Sequence, residues 1–477
     1  MTPTPRLAVA AGLLALLTAG CASTPTSPTA QVAAPATPPP PQAPGVQIPV
    51  EYYRLGNGLK VVLSQDASVP TVTVGVYYHI GFRIEPRDRT GFAHLFEHMM
   101  FQGSATLGKM EFIKLVQGNG GVLNGSTRFD YTNYFEVVPA HTVETVLWAE
   151  ADRMKGLAIT QENLTNQQGV VKNEVKVNVL NQPYGGFPWL NMPQYANENW
   201  YNAHNFYGDL ADLDAATLAD VQDFFDTFYA PGNAVLVLAG DFDPAQARAW
   251  IEHYFGPIPG RPVTAQPDIS EPRQEAPKRH SYVDPLAPRP ALAAAWHVPE
   301  RGTPEHFAFG LIDQILLQGE DSALWQRLVQ QRGYSDSVSG GINLLGNMFN
   351  YDGPMLWTLS LIHDATVTPA QILGDIDAEV ARLQSGPPDA AELQRALTKI
   401  RAELYGMAAS STRFGLVDLL ASFALFDDDP SEINRIEQHF RAVTPELITR
   451  VAREYLRPSN RTVLIVEPGQ QAAGGQP

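Results

Sequence analysis

Two stretches 227 positions apart constrain this chain more than any other feature. "TLADVQDFFDTFYAPGNAVLVLAGD" begins at Thr217 and "TPELITRVAREYLRPSNRTVLIVEP" at Thr444, so that Thr217 pairs with Thr444, Pro231 with Pro458 and Asn233 with Asn460 without a gap. Each copy reads as a threonine-capped helix, a Pro-X-Asn turn and a buried strand. A duplicated unit of this kind predicts two α/β domains on one plan. The Pro-rich run 255–277 falls between the copies, where a linker belongs. The expected division is a first domain over 49–258, a linker over 259–280, a second domain over 281–468 and a flexible tail over 469–477.

The N-terminus is of another kind. In "MTPTPRLAVAAGLLALLTAGCAS", Arg6 precedes an apolar run from Leu7 to Leu17, too short to span a bilayer and proportioned like a secretory signal. Small residues then lead to Cys21, the only cysteine. Residues 1–21 resemble a bacterial lipoprotein signal, in which Cys21 is acylated and becomes the mature N-terminus, although Thr18 stands where that class usually has leucine. An ordinary cleaved signal with a free thiol is the alternative, and either exports the protein. Residues 22–48 are uncharged and rich in Pro, Ala and Thr, a tether of partly extended character. The expectation is a periplasmic protein, lipid-anchored to a membrane, with Ala22 compatible with the outer membrane of a Gram-negative bacterium. A lone cysteine allows no intrachain disulfide, so the core must supply the stability. A net charge of -17 argues against a nucleic-acid partner, which needs a basic surface.

The segment "GFAHLFEHMMFQGS", residues 91–104, carries His94, Glu97 and His98. On a helix His94 and His98 lie about 40° apart, with Glu97 about 60° to the other side of His94, so all three point one way. Two imidazoles one turn apart can chelate one Zn²⁺, and the adjacent carboxylate can reach a water on the open position. Setting Gly103 against Gly319 aligns this segment with "FGLIDQILLQG", placing Gly310, Asp313 and Gln314 opposite His94, Glu97 and His98. The apolar pattern survives in the copy while both imidazoles vanish, so helix packing does not require them. A third ligand must be a distant carboxylate. Glu136, Glu144, Glu150, Glu162 and Glu174 compete for the place.

"TGFAHLFEHMMFQGS", then "GGVLNGSTRFDYTNYFEVV", then "QQGVVKNEVKVNVLNQPYGG" resemble, in order, the pitrilysin/insulinase family of zinc metallopeptidases, over about residues 50 to 468. The chain is similar to the short bacterial members and to mitochondrial processing peptidase β-type chains. The resemblance implies two homologous α/β-roll domains, each an antiparallel-rich sheet packed with helices, and one Zn²⁺ per chain in the first. It implies His94, His98 and Glu174 as metal ligands and Glu97 as general base in the hydrolysis of peptides or unfolded polypeptides. Asn124 and Gly125 match a strand edge that pairs with substrate backbone. Gln167 stands where the family commonly has a second glutamate, which removes a negative charge near the metal.

The family also implies a chamber closed by two chains, with an arginine and a tyrosine seven residues later reaching the substrate from a zinc-free domain. Residue by residue, Val329 and Asp336 fall at those places, and neither can donate the needed hydrogen bonds. Arg327 and Tyr334 have the spacing but stand two positions early. A heterodimer with a zinc-deficient homologous chain is therefore expected, with a homodimer using Arg327 and Tyr334 as the alternative. The rival from another class is a non-catalytic peptide-binding or scaffolding lipoprotein that keeps the fold, and the presence of Glu97 argues against it.

Overall fold

The computed structural model describes residues 47–469. The 1–21 signal with Cys21, the tether up to residue 46 and the tail from 470 lie outside the described residues.

Two sheets carry the architecture. The first contains β1 (Glu51–Arg54), β2 (Lys60–Gln65), β3 (Thr71–Tyr78), β4 (Val122–Thr127), β5 (Thr132–Pro139) and β6 (Ala234–Gly240), in the spatial order β1-β2-β6-β3-β5-β4. The second contains β7 (Lys278–Asp284), β8 (Ala291–His297), β9 (Ser339–Ile342), β10 (Leu356–Ile362) and β11 (Arg461–Pro468), in the order β7-β11-β8-β10-β9. Without β1 the two orders are the same. In each sheet only one pair is parallel, β2 with β6 and β7 with β11, and the other pairs are antiparallel.

The matched residues of the repeat act as matched punctuation. Thr217 caps the Leu218–Phe228 helix in a reciprocal capping box with Asp220, and Thr444 caps Pro445–Tyr455 by accepting from Leu447 N. The turns Pro231–Asn233 and Pro458–Asn460 then lead into β6 and β11. The Asn233 amide donates to the carbonyls of Phe228 at 2.9 Å and His79 at 3.2 Å. Asn460 does the same to Tyr455 at 2.7 Å and His297 at 3.0 Å. Asparagine is retained in both copies because one side chain ties the helix end to the neighbouring strand.

Every residue of β6 is buried, and its sequence AVLVLAG is a continuous apolar run because both faces of this sheet are covered. The helices of the first half cover one face. The other receives Leu416, Val417, Leu420 and Ala421 of the Phe414–Ser422 helix, which belongs to the second half. Reciprocally, Met192 and Ala196 of the Asn191–Ala196 helix pack on Ala293, Ala295 and Leu464 of the second sheet. Each half thus lends a helix to the other, and together they form one compact unit.

Buried polar contacts complete the seam. Asp418 accepts hydrogen bonds from Tyr131 at 2.9 Å, Asn350 at 3.1 Å and Tyr77 at 3.3 Å. Arg83, fully buried, pairs with Asp130 at 2.8 Å and donates to the Pro354 carbonyl at 2.7 Å. Such groups are tolerable inside only because each has partners.

Candidate metal centre

The segment with the two histidines is the helix Phe92–Met99. Phe92, Leu95, Phe96 and Met99 recur at helical spacing and are buried in the first core, which leaves His94, Glu97 and His98 on the opposite side. Its N-cap is Gly91, at φ 82°, which has no side chain to cap with. Glu85 supplies the missing acceptor: Oε2 takes the Gly91 amide at 2.8 Å and Oε1 the Ala93 amide at 2.6 Å. A buried carboxylate on the first-turn amides also complements the positive end of the helix dipole.

Glu174 reaches the same place from the Gln161–Val175 helix, whose N-cap Thr160 accepts from Asn163 N. His94 Nε2 lies 3.4 Å from His98 Nε2 and 3.6 Å from Glu174 Oε1, and His98 Nε2 lies 3.2 Å from Glu174 Oε2. Donors bound tetrahedrally to zinc at about 2.0–2.1 Å sit about 3.3–3.4 Å apart, so two imidazoles and one carboxylate at these separations fit the ion. No other set of three His, Cys, Asp or Glu side chains converges in this way among the described residues. The protonation states suit ligands as well. Burial, with His98 beside it, lowers His94 to about 4, and the hydrogen bond with His98 holds Glu174 below the usual carboxylate range. The pair is therefore imidazole and carboxylate at neutral pH, the forms that bind metal.

Glu97 is not part of that triangle. Its Oε2 accepts from Thr127 Oγ1 at 2.7 Å, and burial raises its pKa. Thr127 ends β4, an edge strand paired only with β5, and Asn124 and Gly125 lie on it. A Cβ on Gly125 would stand 3.3 Å from Glu97 Cγ and 3.2 Å from the Tyr134 ring, so glycine here lets the strand pass close to Glu97. The Asn124 side chain accepts from the Gly125 amide at 2.9 Å.

The competing acids are engaged elsewhere. Glu136 and Glu150 are fully buried against Arg153, Glu144 accepts from Tyr254 at 3.1 Å on the surface, and Glu162 is exposed in the first turn of its helix. Gln167, on the same helix as Glu174, is buried and donates to Asn166 at 2.8 Å.

Four residues that sequence reasoning passed over complete the wall. His204 stands 3.6 Å from Glu85 and stacks on Trp200, Phe206 and Tyr207 pack on the His94 ring, and Tyr207 OH donates to Glu174 Oε1 at 3.2 Å. Burial and the Glu174 charge push Tyr207 up to about 12, so the phenol keeps its proton. The only signal was compositional, the aromatic-rich "NWYNAHNFYGDL".

The second half repeats the site without the imidazoles. Glu403 lies as far beyond its helix N-cap, Asp389, as Glu174 lies beyond Thr160, and it accepts from Gln314 at 3.3 Å. Asp313, at the place of Glu97, is tied to Trp357 Nε1 at 2.6 Å and to Gln318. Met348 and Phe440 crowd Gly310, where a histidine would stand. Arg327 is held by Glu379 at 3.2 Å and by Asp375 at 3.6 Å, a hydrogen bond to Asp375 also engages Tyr334, and Asp336 faces solvent beside Arg289.

Two sheets of one topology with a His-His-Glu group in the first half define a metallopeptidase of the two-domain α/β type. The chain belongs to the insulinase family: residues 60–201 match Insulinase (Peptidase family M16), and residues 215–400 match the Peptidase M16 inactive domain. Over 424 residues it is 24% identical to the zinc protease PqqE of Helicobacter pylori, covering 88% of this chain and 93% of that protein. A protease from Helicobacter pylori superposes with a TM-score of 0.80 at 24% identity, over 88% of this chain and 100% of that one. The periplasmic protease PqqL of Escherichia coli gives 0.71 at 16% identity, over 89% of this chain and 48% of that one. At these identities the superpositions establish a common fold.

Proposed function

We propose that this chain is a zinc-dependent endopeptidase acting on peptides or unfolded polypeptides, with one Zn²⁺ held by His94, His98 and Glu174. The observation that carries it is the convergence of three donors from two helices at the spacing a tetrahedral ion needs. A zinc ion bound there supplies Lewis acidity to the scissile carbonyl and acidifies a water molecule. Glu97 takes the proton of the attacking water and delivers it to the leaving amine, and Thr127 orients the carboxylate for both transfers. The outer edge of β4, where Asn124 is exposed and its side chain holds the buried Gly125 amide, offers an extended substrate backbone groups once the Asn124 side chain turns aside, a pairing tolerant of sequence.

The chain is the metal-bearing subunit of a two-chain enzyme, its partner a zinc-deficient homologue that donates an arginine and a tyrosine to the chamber. Support comes from Arg327 and Tyr334, both drawn to acids of their own chain. Export and a lipid anchor at Cys21 rest on the N-terminal sequence and agree with the periplasmic location in the name of the Escherichia coli relative.

The test is metal analysis of the purified chain with digestion of an unfolded polypeptide, before and after chelation, alone and with such a homologue. One zinc per chain and chelator-sensitive cleavage that rises with the partner are expected. Metal-free protein that still cleaves overturns the zinc assignment. Full activity of the isolated chain, lost on Tyr334→Phe, overturns the heterodimer. For the anchor, Cys21→Ser should move the protein from membrane to soluble fraction, and equal solubility of both forms refutes it.

A further inference from the structure

The turn after the Trp200–Ala203 helix touches both parts of the metal group. Toward the third ligand, Tyr207 OH donates to Glu174 Oε1 at 3.2 Å, and its ring lies 5.1 Å from that of His94 at a steep angle. Toward the histidine helix, the contact is backbone on backbone. Gly208, at φ 69°, sits so close to Thr90 and Gly91 that a Cβ would clash with their main chain, and a Cβ on Gly91 would meet the Tyr207 carbonyl. Thr90 Oγ1 accepts the Asp209 amide at 2.8 Å and donates to Asp212 at 2.6 Å, closing the junction. Tyr207 is itself buried, while the Glu174 carboxylate that it holds is partly exposed.

We propose that Tyr207 is a positioning residue for the metal group: its hydroxyl sets the orientation of the Glu174 carboxylate while its own turn is fixed to the start of the helix bearing His94 and His98. Glu174 sits 76 positions beyond His98 on another helix, partly exposed, where the Gln161–Val175 helix passes into the wider turn Lys176–Leu180. Without an outer partner its carboxylate is free to rotate between one-oxygen and two-oxygen presentation. A ligand carboxylate held by an outer hydrogen bond binds more tightly, and loss of such a bond typically weakens metal binding about 10–100-fold. The inference rests on Glu174 being a ligand.

Zinc affinity of the full chain is measured by competition with a chromophoric chelator for the wild type, Tyr207→Phe, Glu174→Gln, the double variant and His98→Ala. Absorption spectra of the Co²⁺-loaded forms report coordination. Tyr207→Phe keeps the ring, so the metal-free melting temperature should hold while zinc affinity falls about 10-fold and the cobalt spectrum changes. In the Glu174→Gln background the same change should have no further effect. Equal affinity and an unchanged cobalt spectrum in Tyr207→Phe overturn the proposal, and so does a full additional loss in the Glu174→Gln background, which would mark a merely structural role. Equal affinity of wild type and His98→Ala overturns the metal assignment itself and this proposal with it.

Discussion

The carboxylate of Glu85 accepts the amide of Ala93 at 2.6 Å, and through it the helix of the metal group is capped by a residue outside that helix. Glu85 is fully buried and holds the Gly91 amide as well. Removing it leaves two buried donors unpaired, at about 1–3 kcal/mol each. Glu85→Ala should therefore lower the unfolding free energy by about 2–6 kcal/mol in urea titrations, and Glu85→Gln, which keeps an acceptor, by less. An Ala variant as stable as wild type would mean that the cap is not needed.

Gly208→Ala places a Cβ against the Thr90–Gly91 backbone at a positive φ. Strain and clash together should cost at least about 2 kcal/mol and weaken metal binding, because the helix start must move. Thermal melts and zinc titration check both effects. Unchanged zinc affinity would show that the junction does not govern the site.

Leu420 lies fully buried between the second-half helix that carries it and the first sheet. Leu420→Ala should cost about 2–5 kcal/mol. Because each half packs a helix on the other's sheet, the loss should appear in a single cooperative transition of the whole unit. Two separated transitions, only one of them shifted, would contradict the shared core.

How far all this could be read in advance varies with the range of the interaction. The duplicated helix, turn and strand were legible because caps and Pro-X-Asn turns are local, and the structure has them at both Thr217 and Thr444. His94, Glu97 and His98 were legible for the same reason, being within one turn. Glu174 was singled out by family resemblance, since spacing alone left five acids open, and the structure brings it to the histidines. Glu85 and Tyr207 were not legible, because what they do depends on chain segments meeting in space. The exchange of helices left a trace that went unread: "FGLVDLLASFALF" is apolar almost all round, as befits a helix buried between two bodies.

Asp313 is buried in the second half, and burial raises it to about 7 despite donors at Trp357 and Gln318. In the unfolded chain it titrates near 3.9. Between about pH 4 and pH 7 the folded state thus holds a proton that the unfolded state has released. Its contribution to stability is complete below about pH 4 and declines as pH rises to about 7, by at most about 1.4 kcal/mol per pH unit. Asp313→Asn cannot titrate, so the variant's stability relative to wild type should increase across that window. Denaturation at pH 4.5, 6 and 7.5 measures it, all three values being about the edges and middle of the window. Parallel stability curves would contradict the raised pKa.

In the function we propose, His94, His98 and Glu174 bind the metal and Glu97 transfers the proton, its carboxylate held by Thr127 outside the triangle of donors. The most direct measurement is zinc content and peptide hydrolysis of Glu97→Gln beside the wild type, in whatever assembly proves active. The amide keeps the shape but accepts no proton, so the variant should retain one zinc per chain and lose hydrolysis by at least about 100-fold. A variant that loses its zinc, or keeps its zinc and still cleaves at the wild-type rate, would contradict the division of roles.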